Sequence, residues 1–254
     1  MTKPIRQDLG ELGRAAQGKP FLRLNLGLGD AIALSGAAVV LAKRHGGLIF
    51  PCLAKYEVSV KSIFVNHPEI EVVELESARE MWQRDDVIIG MEETMPEHPD
   101  VDHYQWLYRK LEVPYQCRWS WNPIPRFSCD DRSMSDGFPV PTLPPEDEDG
   151  KYLIRPYSFV HDDPDRKFWI RHDKLPQIGM AWYPPHVEGS HESSILRHVD
   201  VLECAAEVHV IDSCFFHLAE QLNPTGKLFL HRYARPYYPG WNDYKTRHEW
   251  TILT

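Results

Sequence analysis

Short apolar runs alternate with segments of helical periodicity along the first ninety residues of the chain. The apolar runs predict β-strands at 21–26, 48–53, 69–75 and 86–90. Apolar residues three and four positions apart predict intervening helices at 31–45, 57–66 and 78–83. Strands and helices that alternate with short connections are typical of a parallel sheet covered by helices.

The same alternation resumes in the second half of the chain. Apolar runs there predict strands at 157–161, 177–182, 208–212 and 227–231. Helical spacing predicts helices at 194–206, from Ser213 onward, and within 241–253 as a closing element. A further helix is predicted at 104–111, and Trp119 and Trp121 are expected in a polar loop after it.

A proline-rich and acidic segment separates the two halves. Residues 139–150 contain four prolines and four acidic residues, which disfavour both a helix and a central strand. We interpret this segment as a linker between an N-terminal domain at 1–138 and a C-terminal domain at 151–254. The expected fold class is α/β, with two Rossmann-like parallel-sheet domains that face each other across a cleft.

Charge and composition narrow the set of partners. The net charge is -9 and the isoelectric point is about 5.8, which argues against a protein that coats nucleic acid. The five cysteines are scattered without a C-x-x-C pair, so free thiols are expected rather than disulfides or a zinc site. No apolar run approaches the roughly 20 residues of a membrane span, and the first residues lack a signal-peptide core. We therefore expect a soluble, cytoplasmic protein with no membrane span.

A glycine-rich turn follows the first predicted strand and opens the first helix. Its residues are Gly27-Leu28-Gly29-Asp30, and glycines in such a turn let a ligand approach the backbone closely. The turn is not a dinucleotide fingerprint, because Ile32 stands where a third glycine would be needed. Asp30 has two interpretations: an N-cap of the helix, or a carboxylate that faces the cleft and accepts a proton from a hydroxyl.

A second polar turn joins the strand at 208–212 to the helix that follows it. Asp212 and Ser213 stand at the predicted helix N-terminus, where backbone N–H groups and the helix dipole suit an anion such as a phosphate. An ordinary N-cap is the alternative interpretation of this pair. His217 lies one helical turn further along on nearly the same face, so it either packs in the core or reaches the phosphate region.

A third polar turn follows the first strand of the second half. Arg166 and Lys167 in this turn could hold a diphosphate, the arginine with bidentate geometry. His161, Asp162 and Asp163 have side chains that suit a metal ion, although a turn with surface ion pairs explains them as well. We predict a site without a metal.

Three short motifs carry a resemblance to a known family. Two α/β halves joined by a proline-rich linker resemble the GT-B architecture of glycosyltransferases, and the turn that ends in Asp30 resembles the L-G-D-x-[LIV] turn of the heptosyltransferases (glycosyltransferase family 9). The segment Asp212-Ser213-x-x-x-His217-Leu-Ala resembles their D-[ST]-x-x-x-H-L-A motif, and Arg166-Lys167-Phe-Trp resembles their basic K-R-W loop. The segment 157–168 is also similar to uncharacterised glycosyltransferase-like proteins of phages and environmental bacteria.

The resemblance implies a glycosyltransferase that moves a sugar from a nucleotide-diphosphate sugar to an acceptor hydroxyl, with inversion and with no metal or further cofactor. The family's proposed general base is the aspartate that matches Asp30. The implied donor-binding residues lie in the two turns and the basic loop: Gly27, Gly29, Arg166, Lys167, Asp212, Ser213 and His217. Two alternatives stay open. One is a non-catalytic protein of the same fold that binds a nucleotide or a sugar, and the other is a transferase that modifies hydroxymethylated DNA bases, which the acidic net charge disfavours.

Overall fold

The computed structural model of the protein describes most of both predicted halves. The described residues are 19–23, 27–76, 89–90, 102–125, 157–162, 168–175, 180–182, 194–235 and 245–254. The predicted helix at 78–83, the predicted linker at 139–150, and both Arg166 and Lys167 lie outside them. Within the described part of the chain, no helix is both long enough and apolar enough to span a membrane.

The first half alternates parallel strands with helices, as its apolar pattern predicts. Its elements in chain order are β1 (Leu22–Arg23), α1 (Leu28–His45), β2 (Leu48–Leu53), α2 (Glu57–Ile63), β3 (Ile70–Leu75), β4 (Ile89–Gly90), α3 (His103–Lys110) and α4 (Cys117–Ser120). β2 pairs with β3 and β1 pairs with β4, both in parallel. A parallel bridge between Phe21 and Ile49 joins the two pairs.

The second half contains a five-stranded sheet in which every pair is parallel. Its elements are β5 (Tyr157–His161), β6 (Met180–Trp182), α5 (Val199–Cys204), β7 (Glu207–Val210), α6 (Cys214–Gln221), β8 (Lys227–His231) and β9 (Trp250–Leu253). The strand order is β6-β5-β7-β8-β9. β5 and β7 are therefore neighbours, and their carboxyl ends lie side by side at His161 and Val210. The α/β class is confirmed.

Two local predictions are wrong. The last residues of the predicted closing helix, Trp250–Leu253, form the strand β9 instead, and this strand pairs in parallel with β8. The reason is that the Trp250 indole donates to Glu220 Oε1 at 2.7 Å and its ring packs 5.0 Å from that of Phe216, so the segment lies extended along the sheet edge. Trp119 lies in the short helix α4 rather than in a loop.

One continuous core contains apolar side chains from both halves. α1 is apolar on nearly every face, as expected of a helix that is surrounded by other elements. Buried residues such as Leu34 and Val39 of α1 belong to the same cluster as Phe215 and Leu218 of α6. α1 thus packs against both halves of the molecule. The division into two domains that face each other across a cleft stays a prediction of the sequence.

Gly36 allows α4 to lie directly on α1. A Cβ atom at this position would overlap the carbonyl oxygen of Cys117. We expect Gly36→Ala to lower the free energy of unfolding by about 3 kcal/mol, because two backbones would have to separate in a packed interior. Ser35→Ala is the control on the same helix, since it removes only a hydroxyl bond to the Ile32 carbonyl. Urea denaturation of both variants measures the difference, and equal stabilities would contradict the close packing.

Candidate functional site

The first turns of α1 and α6 lie against each other. Gly29 is the point of closest approach, because a Cβ atom there would lie 2.9 Å from His217 Cδ2 and 3.4 Å from the Cys214 backbone nitrogen. Any larger residue would push the two helices apart. The structure therefore brings the glycine-rich turn of the first half to the Asp212-Ser213 turn of the second half.

A chain of polar side chains runs between these helices. The Tyr104 hydroxyl donates to Asp30 Oδ1 at 3.1 Å and lies 3.0 Å from His217 Nε2. Arg118 Nη2 lies 3.0 Å from His217 Nδ1. We call these four residues, Asp30, Tyr104, His217 and Arg118, the polar chain. Its members come from α1, α3, α6 and α4, so it joins elements that are distant in the sequence.

The carboxyl group of Asp30 is poised to exchange a proton near neutral pH. Burial raises the pKa of Asp30 to about 7, and the negative charge of Asp212 adds to the rise. The hydrogen bond from Tyr104 and the positive charge of Arg235 act in the opposite direction. A carboxylate with a pKa near the working pH is suited to general-base catalysis.

Aromatic rings surround the buried guanidinium of Arg118. The side chain is fully buried, and its guanidinium carbon lies 5.0, 5.9 and 5.8 Å from the ring centroids of Tyr104, Tyr115 and Trp119. Arg118 Nη1 also donates to the Tyr115 hydroxyl at 2.8 Å. The negative faces of the rings offset part of the lost hydration of the cation. Two of these rings, Tyr115 and Trp119, come from α4 and the residues just before it, and the third comes from α3.

The helix-capping interpretation is wrong for Asp30 and is confirmed for Ser213 only in its position. The N-cap of α1 is Gly27, which leaves Asp30 inside the first turn, where its carboxyl meets Tyr104. Ser213 does occupy the N-cap position of α6, but its side chain makes no capping hydrogen bond. Its Oγ instead lies 3.1 Å from His161 Nδ1, at the end of β5.

His161 and Arg235 belong to the site, although neither was predicted from the sequence to hold an anion. His161 is the last residue of β5, which is the neighbour of β7 in the sheet. Its place at the end of a predicted strand could have indicated that it lies next to Ser213. Arg235 donates to the backbone carbonyl of Asp212, so it brings a cation to the turn. Nothing in the sequence around Arg235 distinguishes it from a surface arginine. Arg166 and Lys167 lie outside the described residues.

The charge state of His217 and the arrangement of possible metal ligands among the described residues limit what the site can hold. Burial, together with the charges of Arg118 and Arg235, lowers the pKa of His217 well below its ordinary range. His217 is therefore neutral, and its 3.9 Å contact with Asp212 Oδ1 is not an ion pair. Among the residues that the structure describes, no group of three His, Cys, Asp or Glu side chains could hold a metal ion.

Comparisons with known proteins give no family for this chain. No protein-family model, curated protein or solved structure matches it. The motif resemblance to the heptosyltransferases therefore stays a prediction.

Asp30→Asn should remove a pH-dependent component of stability. Since the folded-state pKa of Asp30 is about 7 and the ordinary value is 3.8, the folded protein holds a proton that the unfolded chain releases. The contribution of Asp30 is most favourable below about pH 4 and is lost as the pH rises to about 7. Between about pH 4 and 8, we expect the free energy of unfolding of wild type to fall by about 2 to 4 kcal/mol relative to that of Asp30→Asn.

Urea denaturation of both proteins at a series of pH values measures this difference. Asp173→Asn is the control, because Asp173 is an exposed carboxylate paired with Arg171 at 2.7 Å and should show no comparable loss. Parallel stability curves for wild type and Asp30→Asn would contradict the raised pKa.

Proposed function

We propose that the protein is a glycosyltransferase that moves a sugar from a nucleotide-diphosphate sugar to an acceptor hydroxyl, with inversion at the anomeric carbon. The observation that carries this proposal is the position of Asp30. Its carboxyl, with a pKa of about 7, lies in the first turn of α1, which packs on the first turn of α6. A proton acceptor thus adjoins a helix N-terminus of the kind that binds phosphate.

The turn before α6 supports a donor diphosphate at this place. Ser213 stands at the N-cap position of α6 without using its hydroxyl to cap the helix, so that hydroxyl is directed to the end of β5 instead. His161 and Ser213 form one polar pair there, and Arg235 adds a positive charge beside Asp212. Arg166 and Lys167 would supply further cations. These groups would stabilise the negative charge that grows on the leaving nucleotide diphosphate.

The reaction would be a single displacement. Asp30 would accept the proton of the acceptor hydroxyl while that oxygen attacks the anomeric carbon from the side opposite to the diphosphate. Gly27 carries no side chain that would crowd Asp30 Oδ2. The space beside Gly29 is taken by His217 and Cys214 of α6, so this glycine serves the contact between the two helices and leaves no room for a substrate there. No cofactor besides the nucleotide sugar is required by these roles.

The other candidate is a non-catalytic protein that binds a nucleotide or a sugar. One observation favours it: the polar chain is almost wholly internal, with Tyr104, His217 and Arg118 all buried. Such a chain would join α1 to α6 whether or not turnover takes place. The two functions differ in the fate of a bound donor, because only the enzyme releases a nucleotide diphosphate.

A thermal-shift screen identifies the donor first. UDP-, GDP-, ADP- and dTDP-sugars are compared with CMP-sugars, which carry one phosphate and serve as the matched control for the diphosphate. A ligand at 100 times its dissociation constant should stabilise the fold by about 2.7 kcal/mol. Stabilisation by CMP-sugars alone would contradict a diphosphate site.

Variants then separate the two roles. With the donor found, we expect Asp30→Asn to keep donor binding and to lower kcat by about 100-fold or more, as removal of a general base does. Ser213→Ala should weaken donor binding by about tenfold, which corresponds to one hydrogen bond to a charged group. Released nucleotide diphosphate and calorimetric titration measure the two effects. An unchanged kcat in Asp30→Asn would overturn the base assignment, and binding without release would favour the binding protein.

A further inference from the structure

Arg118 limits the tautomer that His217 can adopt. A guanidinium only donates hydrogen bonds, so the contact of 3.0 Å between Arg118 Nη2 and His217 Nδ1 requires Nδ1 to accept. A neutral imidazole with an accepting Nδ1 carries its proton on Nε2. The buried position of His217 and the cations beside it keep the ring neutral.

The tautomer of His217 in turn directs the hydroxyl of Tyr104. The Nε2 proton points to the Tyr104 oxygen at 3.0 Å, whereas Asp212 Oδ1 at 3.9 Å is beyond hydrogen-bond distance. Since the tyrosine oxygen accepts from His217, its own hydrogen is left for Asp30 Oδ1 at 3.1 Å. All three hydrogen bonds therefore run in one direction, from the guanidinium to the carboxylate.

The direction of the chain makes the two oxygens of Asp30 unequal. Oδ1 accepts from Tyr104 and is thereby less basic than an oxygen without such a donor. Oδ2 lies over Gly27, where a Cβ atom would be only 2.8 Å away. A side chain at residue 27 would therefore crowd Oδ2, and glycine avoids this contact on the side of the carboxylate away from Tyr104.

We propose that Arg118 and Tyr104 are positioning residues that together assign proton transfer to Oδ2 of Asp30. Arg118 holds His217 as the Nε2–H tautomer, and Tyr104 therefore donates its hydrogen to Oδ1. Reversal of the chain would require a proton on His217 Nδ1, which would face the N–H group of Arg118. The catalytic meaning of this assignment rests on the proposed function. The tautomer and the direction of the hydrogen bonds are properties of the protein alone.

Nitrogen NMR of protein with ¹⁵N-labelled histidine tests the tautomer without any substrate. In wild type we expect His217 to be protonated on Nε2 and not on Nδ1. Arg118→Met removes the donor and should populate the Nδ1–H form. Tyr115→Phe is the matched control, because it removes the other hydrogen bond of Arg118 at 2.8 Å and should leave the tautomer unchanged. A wild-type Nδ1 proton, or an unchanged tautomer in Arg118→Met, would overturn the assignment.

Tyr104→Phe tests the direction of the hydrogen bond between Tyr104 and Asp30, and it keeps the aromatic ring in place. If Tyr104 donates to Asp30, its removal should raise the pKa of Asp30 by about 1, because the carboxylate loses a donor. An unchanged or lowered pKa would mean that the bond runs the other way and would overturn the proposal. Carbon NMR of the Asp30 carboxyl measures the pKa, and Asp173, which is exposed, is the internal reference.

Both NMR experiments measure the protein without substrate, so they test the hydrogen-bond direction whether or not the protein transfers a sugar. In an active enzyme, Tyr104→Phe should also move the acidic limb of the kcat/KM pH profile upward by about the same amount as the pKa of Asp30. A shifted carboxyl pKa with an unshifted kinetic limb would contradict Asp30 as the base while leaving the hydrogen-bond direction intact.

Discussion

The contact between the first turns of α1 and α6 is the constraint on which the rest of the site depends. It exists because Gly29 has no side chain, so that the His217 ring and the Cys214 backbone can approach α1. Once the helices are this close, their polar groups are removed from water and must satisfy one another. Each member of the polar chain contacts the next, and the loss of one would leave a buried partner unsatisfied, at about 1–3 kcal/mol.

This arrangement also sets the chemistry of Asp30. The carboxyl lies between a negative neighbour, Asp212, and a positive one, Arg235, within a desolvated surrounding. Desolvation dominates, and the proton affinity therefore rises to a value useful at neutral pH. The chain as a whole is acidic, but the described site contains two cations, Arg118 beside His217 and Arg235 beside Asp212. The net charge therefore says little about the field at this site.

The sequence predicted the architecture better than the site. Long apolar runs and helical spacing predicted β2, β3, α1, β7 and β8, because burial of one face leaves a periodic pattern. Asp30 and His217 could be singled out because each follows a strand at the start of a helix. β9 was missed because its strand is held by Trp250 and Glu220, a contact between residues 30 positions apart.

Tyr104 and Arg118 could not have been found in the same way. Tyr104 reaches Asp30 across 74 positions and His217 across 113, and Arg118 reaches His217 across 99. Contacts of this range depend on how helices pack, and a single sequence has no local pattern for them. Tyr104 resembles any apolar residue of an amphipathic helix, and Arg118 resembles any arginine of a polar segment. Only the fold shows that they share one hydrogen-bonded chain.

A double-mutant cycle between Tyr104→Phe and His217→Phe tests the central claim most directly, because these residues come from opposite halves of the chain. The free energies of unfolding of wild type, both single variants and the double variant are measured by urea denaturation at about pH 8. If the polar chain joins α3 to α6, the two effects should be coupled by about 1 to 2 kcal/mol. Effects that add within about 0.3 kcal/mol would mean that the two side chains do not act together, and the account would fail.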